Sequence, residues 1–309
     1  MIVTKAPLRI SLFGGGTDLP SYYTEHGSTI ISFAINLYMH VTWNQRPTGG
    51  CRLGYNKVEE VGSLREVEHT LVQACANQYG FSEPCTLTIT SDIMKGTGLG
   101  SSSSLSIALC KMADVPEHPY PYFSLPEAAF ILERSVSPVG IQDHLPAYYG
   151  GFRVYNIESG SISYETVPMK IQDLISSHGL LLFTGKGRQA APILANWKND
   201  IGRLKEIQSL ANDVKKDLPT LGIQGLAYYL QHTWKIKSSI KGVVDSNLIS
   251  QYNEAMNNGA LGGKLLGAGG GGCWFFLAHP SDHERIIKSL NLFPIPFEIS
   301  QTGIEMRTI

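Results

Sequence analysis

Charged side chains are scarce in this 309-residue chain: Asp, Glu, Lys and Arg together make up 17%, where about 25% is usual. The 25 basic and 26 acidic groups nearly cancel, to a net charge of -1. No whole-molecule field therefore exists to hold a nucleic-acid backbone or an anionic membrane. Long apolar runs are missing too. Stretches such as Leu180–Phe183 fall far short of the roughly 20 residues of a membrane span, and the N-terminus reaches Arg9 without the apolar core of a signal peptide. The five cysteines (Cys51, Cys75, Cys85, Cys110, Cys273) form no Cys-x-x-Cys pair. An odd count of this kind is no disulfide framework, and the nine histidines show no metal-ligand spacing. With 43% hydrophobic residues the chain is too apolar for intrinsic disorder. The expectation is a globular cytoplasmic protein with no nucleic-acid or membrane partner.

Glycine and hydroxyl residues, by contrast, are concentrated where elements meet. Residues 1 to 60 read as strands: Leu8–Phe13, Thr29–Ile35 and Tyr38–Asn44 are apolar or β-branched runs divided by Gly, Pro and Asn. Ser63-x-x-Glu66 is a capping-box signature, and Leu64, Val67, Leu71 and Cys75 follow at helical steps until Gly80, which predicts one amphipathic helix. Cys85–Ser91 alternates with period two and predicts a half-buried strand. A second capping box, Ser124-x-x-Glu127, opens a predicted helix to about Ser135 that carries Glu133. Beyond a soft boundary near residue 157 the chain becomes helix-richer, with predicted helices near 189 to 216, 222 to 242, 246 to 258 and 281 to 290 around strands at 179 to 184 and 273 to 278.

Three glycine tracts carry the chemistry. The tract from Lys95 through Gly96 to Ser104 lies between a predicted strand and the helical stretch Leu105–Ala113. Its glycines let backbone N–H groups turn inward, and a following helix N-terminus offers unpaired donors, which together suit a phosphate chain; the alternative is a flexible turn with a Ser-rich cap. It lacks the Lys-[Ser/Thr] ending of a Walker A loop. Gly267–Gly272 formally fits G-x-G-x-x-G but precedes a strand, so a dinucleotide fingerprint fails and either close backbone packing or a second ligand loop remains. In the first tract, Arg9 sits inside an apolar strand and Asp18 just past Gly14-Gly15-Gly16. A charge there must be paired or functional, so Arg9 is either a structural ion pair or a ligand group, and Asp18 either an N-cap or a ligand group.

With Glu133 and Gln142-Asp143 placed between the second and third tracts, this order of motifs is far more specific than any one of them. The chain resembles the GHMP small-molecule kinases over nearly its whole length. Ala6–Ser11 with Gly14–Tyr23, Thr184-Gly-x-x-Arg188-x-Ala190, Trp234-x-x-Lys237 and Gly262–Gly272 resemble the heptose kinase branch. The resemblance implies an α+β fold of two domains, an ATP-binding domain at 1–156 and a C-terminal domain at 157–309. The active site lies in the cleft, and the first domain contains a left-handed β-α-β unit of the kind that ordinary topology disfavours. It implies ATP on the loop Lys95, Gly96, Thr97, Gly98, Leu99, Gly100, Ser101, Ser102 and Ser103, with Mg²⁺ on Ser102 and Glu133. Asp143 is then the catalytic aspartate and Arg9 the basic residue of the first motif. Gly15, Gly16, Thr17, Asp18, Gln142, Gly269 and Gly270 would lie at the substrate; Arg188, in a Gly-bearing loop, either captures a distal phosphate of the substrate through its bidentate fork or forms a domain-surface salt bridge.

The implied reaction is transfer from ATP to the anomeric hydroxyl of a heptose 7-phosphate, giving the 1,7-bisphosphate for nucleotide-activated heptose and surface polysaccharide; the alternatives are a GHMP kinase for another sugar (fucose-like, hexose or unphosphorylated heptose) and a regulator of the same fold that has lost catalysis. Phosphoryl transfer asks a protein mainly to align two oxygens and neutralise charge, and Mg²⁺ needs only a few oxygen donors, so these parts suffice. Some positions depart from the family pattern: Met94-Lys95 replaces a proline, Ile141 stands where the branch has a Lys, and His144 with its followers replaces Gln and small residues. Gly15-Gly16 stands where galactokinases have Glu-His, which argues against galactose.

Overall fold

The computed structural model describes residues 1–47, 49–115, 124–187, 197 and 200–309. In chain order the first half runs β1 (Ile2–Phe13), α1 (Pro20–His26), β2 (Ser28–Gln45), β3 (Cys51–Gly54), β4 (Val58–Val61), α2 (Thr70–Gln78), β5 (Cys85–Ser91), α3 (Ser101–Met112), α4 (Leu125–Arg134), α5 (His144–Tyr149), β6 (Phe152–Glu158) and β7 (Ser161–Thr166). The second half runs α6 (Met169–His178), β8 (Gly179–Phe183), α7 (Ile201–Asp217), α8 (Ile223–Ser238), α9 (Ser246–Asn257), β9 (Ala260–Leu265), β10 (Cys273–Ala278), α10 (Pro280–Leu290), β11 (Phe293–Pro294) and β12 (Glu305–Thr308). The α+β class expected from the motifs is what the chain adopts.

An eight-stranded sheet has the order β12-β1-β2-β5-β3-β4, with β6 on β2 and β7 on β6. β3 pairs parallel with β5, and the chain between them runs through β4 and α2. A four-stranded sheet, β11-β8-β10-β9, forms the second layer. Phe33 of β2 meets Phe152 of β6 at 4.9 Å and Phe275 of β10 at 6.3 Å between ring centroids, so the two sheets share a core in which all three rings are buried. The division expected at 156/157 falls inside β6, and β7 and β12 beyond it both pair into the first sheet. No described helix is long and apolar enough to cross a membrane.

Two local features of β1 matter for the site. The ladder with β2 shifts register at Pro7/Leu8, where proline has no N–H to give, and again between Ser11 and Phe13. The second bulge frees the strand end to turn into the glycine tract. Elsewhere the helix predicted from Ser63 divides in two. Glu66 reaches back to the N–H of Gly62 rather than of Ser63, a 3₁₀ turn covers only Leu64–Glu66, and Val67 is extended before α2 begins at Thr70 under a His69 cap. Helix α3 starts four residues earlier than its apolar pattern predicts, because Ser101–Ser104 are themselves helical.

Candidate active site

A cavity of about 980 Å³ lies between the two sheets, large enough for a nucleotide and a small acceptor together. Arg9 enters it from β1 with only 2% exposure. Its Nε donates to Asp143 Oδ1 at 2.7 Å, its Nη2 to Oδ2 at 2.6 Å and its Nη1 to the Gly98 carbonyl at 2.7 Å. The ion pair thus joins β1, the glycine loop and the 3₁₀ turn Ile141–Asp143, and the bidentate fork fixes the plane of the carboxylate.

Across the cavity the loop 96–100 delivers the N-terminus of α3. Gly100 has φ +78°, a left-handed conformation that strains any other residue, and a Cβ there would crowd Arg9 Cγ at 3.2 Å. No side chain caps the helix, which leaves its first N–H groups and the positive end of its dipole toward the cavity. Ser102 is exposed on the cavity wall. Behind it Ser103 Oγ donates to Glu133 Oε2 at 2.7 Å, and His144 Nε2 lies 2.9 Å from the same oxygen. Burial raises the Glu133 pKa, but the approach of His144 and the hydroxyls of Ser102 and Ser103 outweigh it, so the net shift is downward. An ionised carboxylate beside an accessible hydroxyl is a hard-oxygen pair that fits Mg²⁺.

At the other end Asp18 is 1% exposed. It accepts from the Gly16 N–H at 3.0 Å and the Gln142 N–H at 3.1 Å, and from Gln142 Nε2 at 3.0 Å. Ser11 Oγ donates to Gln142 Oε1 at 2.9 Å, which closes a polar cradle. Burial first, and then the charge of Asp143, push the Asp18 pKa up to about 6. Asp18 is therefore an acceptor above pH 6 and takes a proton below it. Acceptor kcat/KM is expected to fall roughly tenfold per unit as pH drops below about 6, a limb that Asp18→Asn should flatten; pH profiles of both proteins check this.

Of the residues named from sequence, Arg9, Gly15, Gly16, Asp18, Lys95, Gly96, Gly98, Gly100, Ser101, Ser102, Ser103, Glu133, Gln142 and Asp143 all line this cavity. Several others face away. Thr97 and Leu99 are buried in the loop's underside, Leu99 taking the Arg9 N–H on its carbonyl. Thr17 spends its hydroxyl on Gly14 O and Ser28. Gly269 packs on Val243, and the Gly270 N–H donates to the Val243 carbonyl, so Gly267 and Ala268 are the part of that tract at the wall. Arg188 lies outside the described residues.

Sequence reasoning missed Trp197 and Lys264. Trp197 donates from Nε1 to Ala268 O at 3.1 Å. A Cβ on Gly16 would come within 2.5 Å of its ring, which explains that glycine by close approach. Lys264 of β9 is 4% exposed and donates to the Ser11 and Leu12 carbonyls at 3.0 and 2.8 Å. Burial, then the charge of Arg9, lower its pKa to about 7. A lysine after two glycines near the end of β9 gives no sign of such burial.

The chain is similar to known kinases. Residues 67–151 match the GHMP kinases N terminal domain, and residues 242–294 match GHMP kinases C terminal. A D-glycero-alpha-D-manno-heptose 7-phosphate kinase of Campylobacter jejuni is 28% identical over 322 aligned residues, covering 94% of this chain and 93% of that protein. A mevalonate kinase of Thermococcus sibiricus is 27% identical, covering 100% and 99%. The crystal structure of a D-glycero-D-manno-heptose 1-phosphate kinase from Bacteroides thetaiotaomicron superposes with a TM-score of 0.80 at 23% identity, covering 100% of this chain and 99% of that one, and so shares the fold.

Proposed function

The chain carries both domains of the GHMP kinases, phosphotransferases with an alcohol group as acceptor, and on that premise we propose that it phosphorylates the anomeric hydroxyl of D-glycero-D-manno-heptose 7-phosphate with ATP. The product is the 1,7-bisphosphate, a precursor for nucleotide-activated heptose and surface polysaccharide. The observation that carries this reading is the Arg9–Asp143 pair facing the glycine loop and the α3 N-terminus within one cavity.

The phosphate chain of ATP lies along the loop 96–100 and the free N–H groups of α3. Ser102 and Glu133 are the residues that would hold Mg²⁺, which supplies charge neutralisation at the phosphates. Asp143 accepts the proton of the acceptor hydroxyl as that oxygen bonds to the γ-phosphorus and the bond to ADP breaks. Arg9 holds the accepting oxygen in place and offsets charge on the transferring group. An anomeric hydroxyl is more acidic than other sugar hydroxyls, which narrows the mismatch with a carboxylate base. Asp18 and Gln142 orient the ring through its other hydroxyls, and Arg188 is assigned to the distal phosphate.

A coupled ADP-release assay over sugars with and without a terminal phosphate tests the assignment. Turnover confined to the heptose 7-phosphate is the expected result. Equal or better turnover of free hexoses or fucose-like sugars would instead assign the acceptor to those sugars.

A further inference from the structure

The second sheet touches the acceptor cradle through one buried amine. Lys264 lies in β9 on the far side of the core, yet its Nζ crosses to Ser11 O and Leu12 O, 253 and 252 residues away in sequence. These carbonyls sit where the β1–β2 ladder breaks between Ser11 and Phe13, so the bulge turns them toward Lys264. Ser11 is the residue whose hydroxyl donates to Gln142, and Gln142 in turn holds Asp18. Two residues back along the same strand is Arg9, and Lys264 shares its cavity wall.

We propose that Lys264 is a positioning residue for the acceptor: by clamping the β1 bulge from the second sheet it sets the depth of the Ser11–Gln142–Asp18 cradle relative to Arg9 and Asp143. The inference rests on the sugar reading of that end of the cavity. The arrangement suits an amine in either protonation state, since two N–H groups meet two carbonyls. A buried cation placed against Arg9 is costly in folding terms, and a hydrophobic side chain would fill the strand position without that cost. Retaining the amine there is the mark of a task beyond packing. The N-terminus of α3 makes no direct contact with Lys264, and the glycine loop meets β1 through Arg9, two residues before the clamp, so the larger effect of losing the amine is expected on the acceptor.

Steady-state kinetics of Lys264→Met and Lys264→Arg, with ATP and heptose 7-phosphate varied separately, test this. Lys264→Met is expected to raise acceptor KM about 10- to 100-fold, the range of a lost charged hydrogen-bond pair, with ATP KM within about threefold of wild type. Lys264→Arg keeps donors for both carbonyls and should recover most of the loss. Equal rises in both KM values, or wild-type constants in Lys264→Met, overturn the inference while leaving the sugar-kinase reading intact. If Lys264→Met does not fold, Lys264→Gln, whose shorter amide cannot serve both carbonyls, carries the test, with a selective rise in acceptor KM expected and unchanged constants contradicting the proposal. Absence of turnover by the wild-type protein with every sugar overturns the function and this inference together.

Discussion

Asp143→Ala is expected to lower kcat by about 10²- to 10⁴-fold, the usual range for removing a general base, while the protein still binds a non-hydrolysable ATP analogue with near wild-type affinity. The separation follows from geometry. Asp143 lies on the 3₁₀ turn Ile141–Asp143 and touches Arg9, whereas the donors proposed to hold the phosphates belong to α3 and its glycine loop. Asp143→Asn should fare little better. Both carboxylate oxygens receive N–H groups from Arg9, so the amide must turn an NH₂ against a donor and the fork is lost. Calorimetric titration of the analogue, run beside steady-state turnover, gives both halves of the test. Wild-type turnover in either variant would remove Asp143 from proton transfer.

The second large effect is expected at Arg9. Arg9→Met should reduce kcat by about 10²- to 10³-fold, comparable with losing one preorganised donor at developing charge. It also leaves Asp143 and the Gly98 carbonyl without the cation that joins them. The accompanying loss of stability should be about 2–3 kcal/mol, below that of breaking a fully buried pair, because the Asp143 side chain retains 18% exposure. Arg9→Lys should not restore activity, since an ammonium cannot make three directed contacts in one plane. Thermal melts and kcat measured on both variants check the two parts. A lysine variant with full activity would show that charge alone, and not the fork, is what the site uses.

The pieces legible in the sequence were those whose residue type is costly without a reason. An arginine inside an apolar strand and glycines at alternate positions before a serine run each implied a partner, while Glu133 was singled out by the family resemblance alone; Arg9, Gly96, Gly98, Gly100 and Glu133 line one cavity. What stayed hidden was direction. A glycine has no side chain to declare which way it faces, so Gly269 and Gly270 could not be told from Gly267, although the first two back onto Val243. Thr17 and Thr97 carry hydroxyls suited to a ligand but point inward. Lys264 was unreadable for a different reason: its partners are backbone carbonyls of a distant strand, freed by a bulge that no local pattern announces. The break after Glu66 was missed because Gly62 competed for its carboxylate, a contest that the spacing of a capping box does not record.

In the proposed reaction Asp143, Arg9 and the α3 N-terminus act together on one acceptor oxygen. The most direct measurement is ³¹P NMR of the product formed from ATP and D-glycero-D-manno-heptose 7-phosphate. A new phosphorus signal coupled to the anomeric proton, growing in step with ADP and absent with Asp143→Ala, is the predicted result. A phosphate appearing on any other carbon, or ADP formed with no phosphorylated sugar, would contradict it.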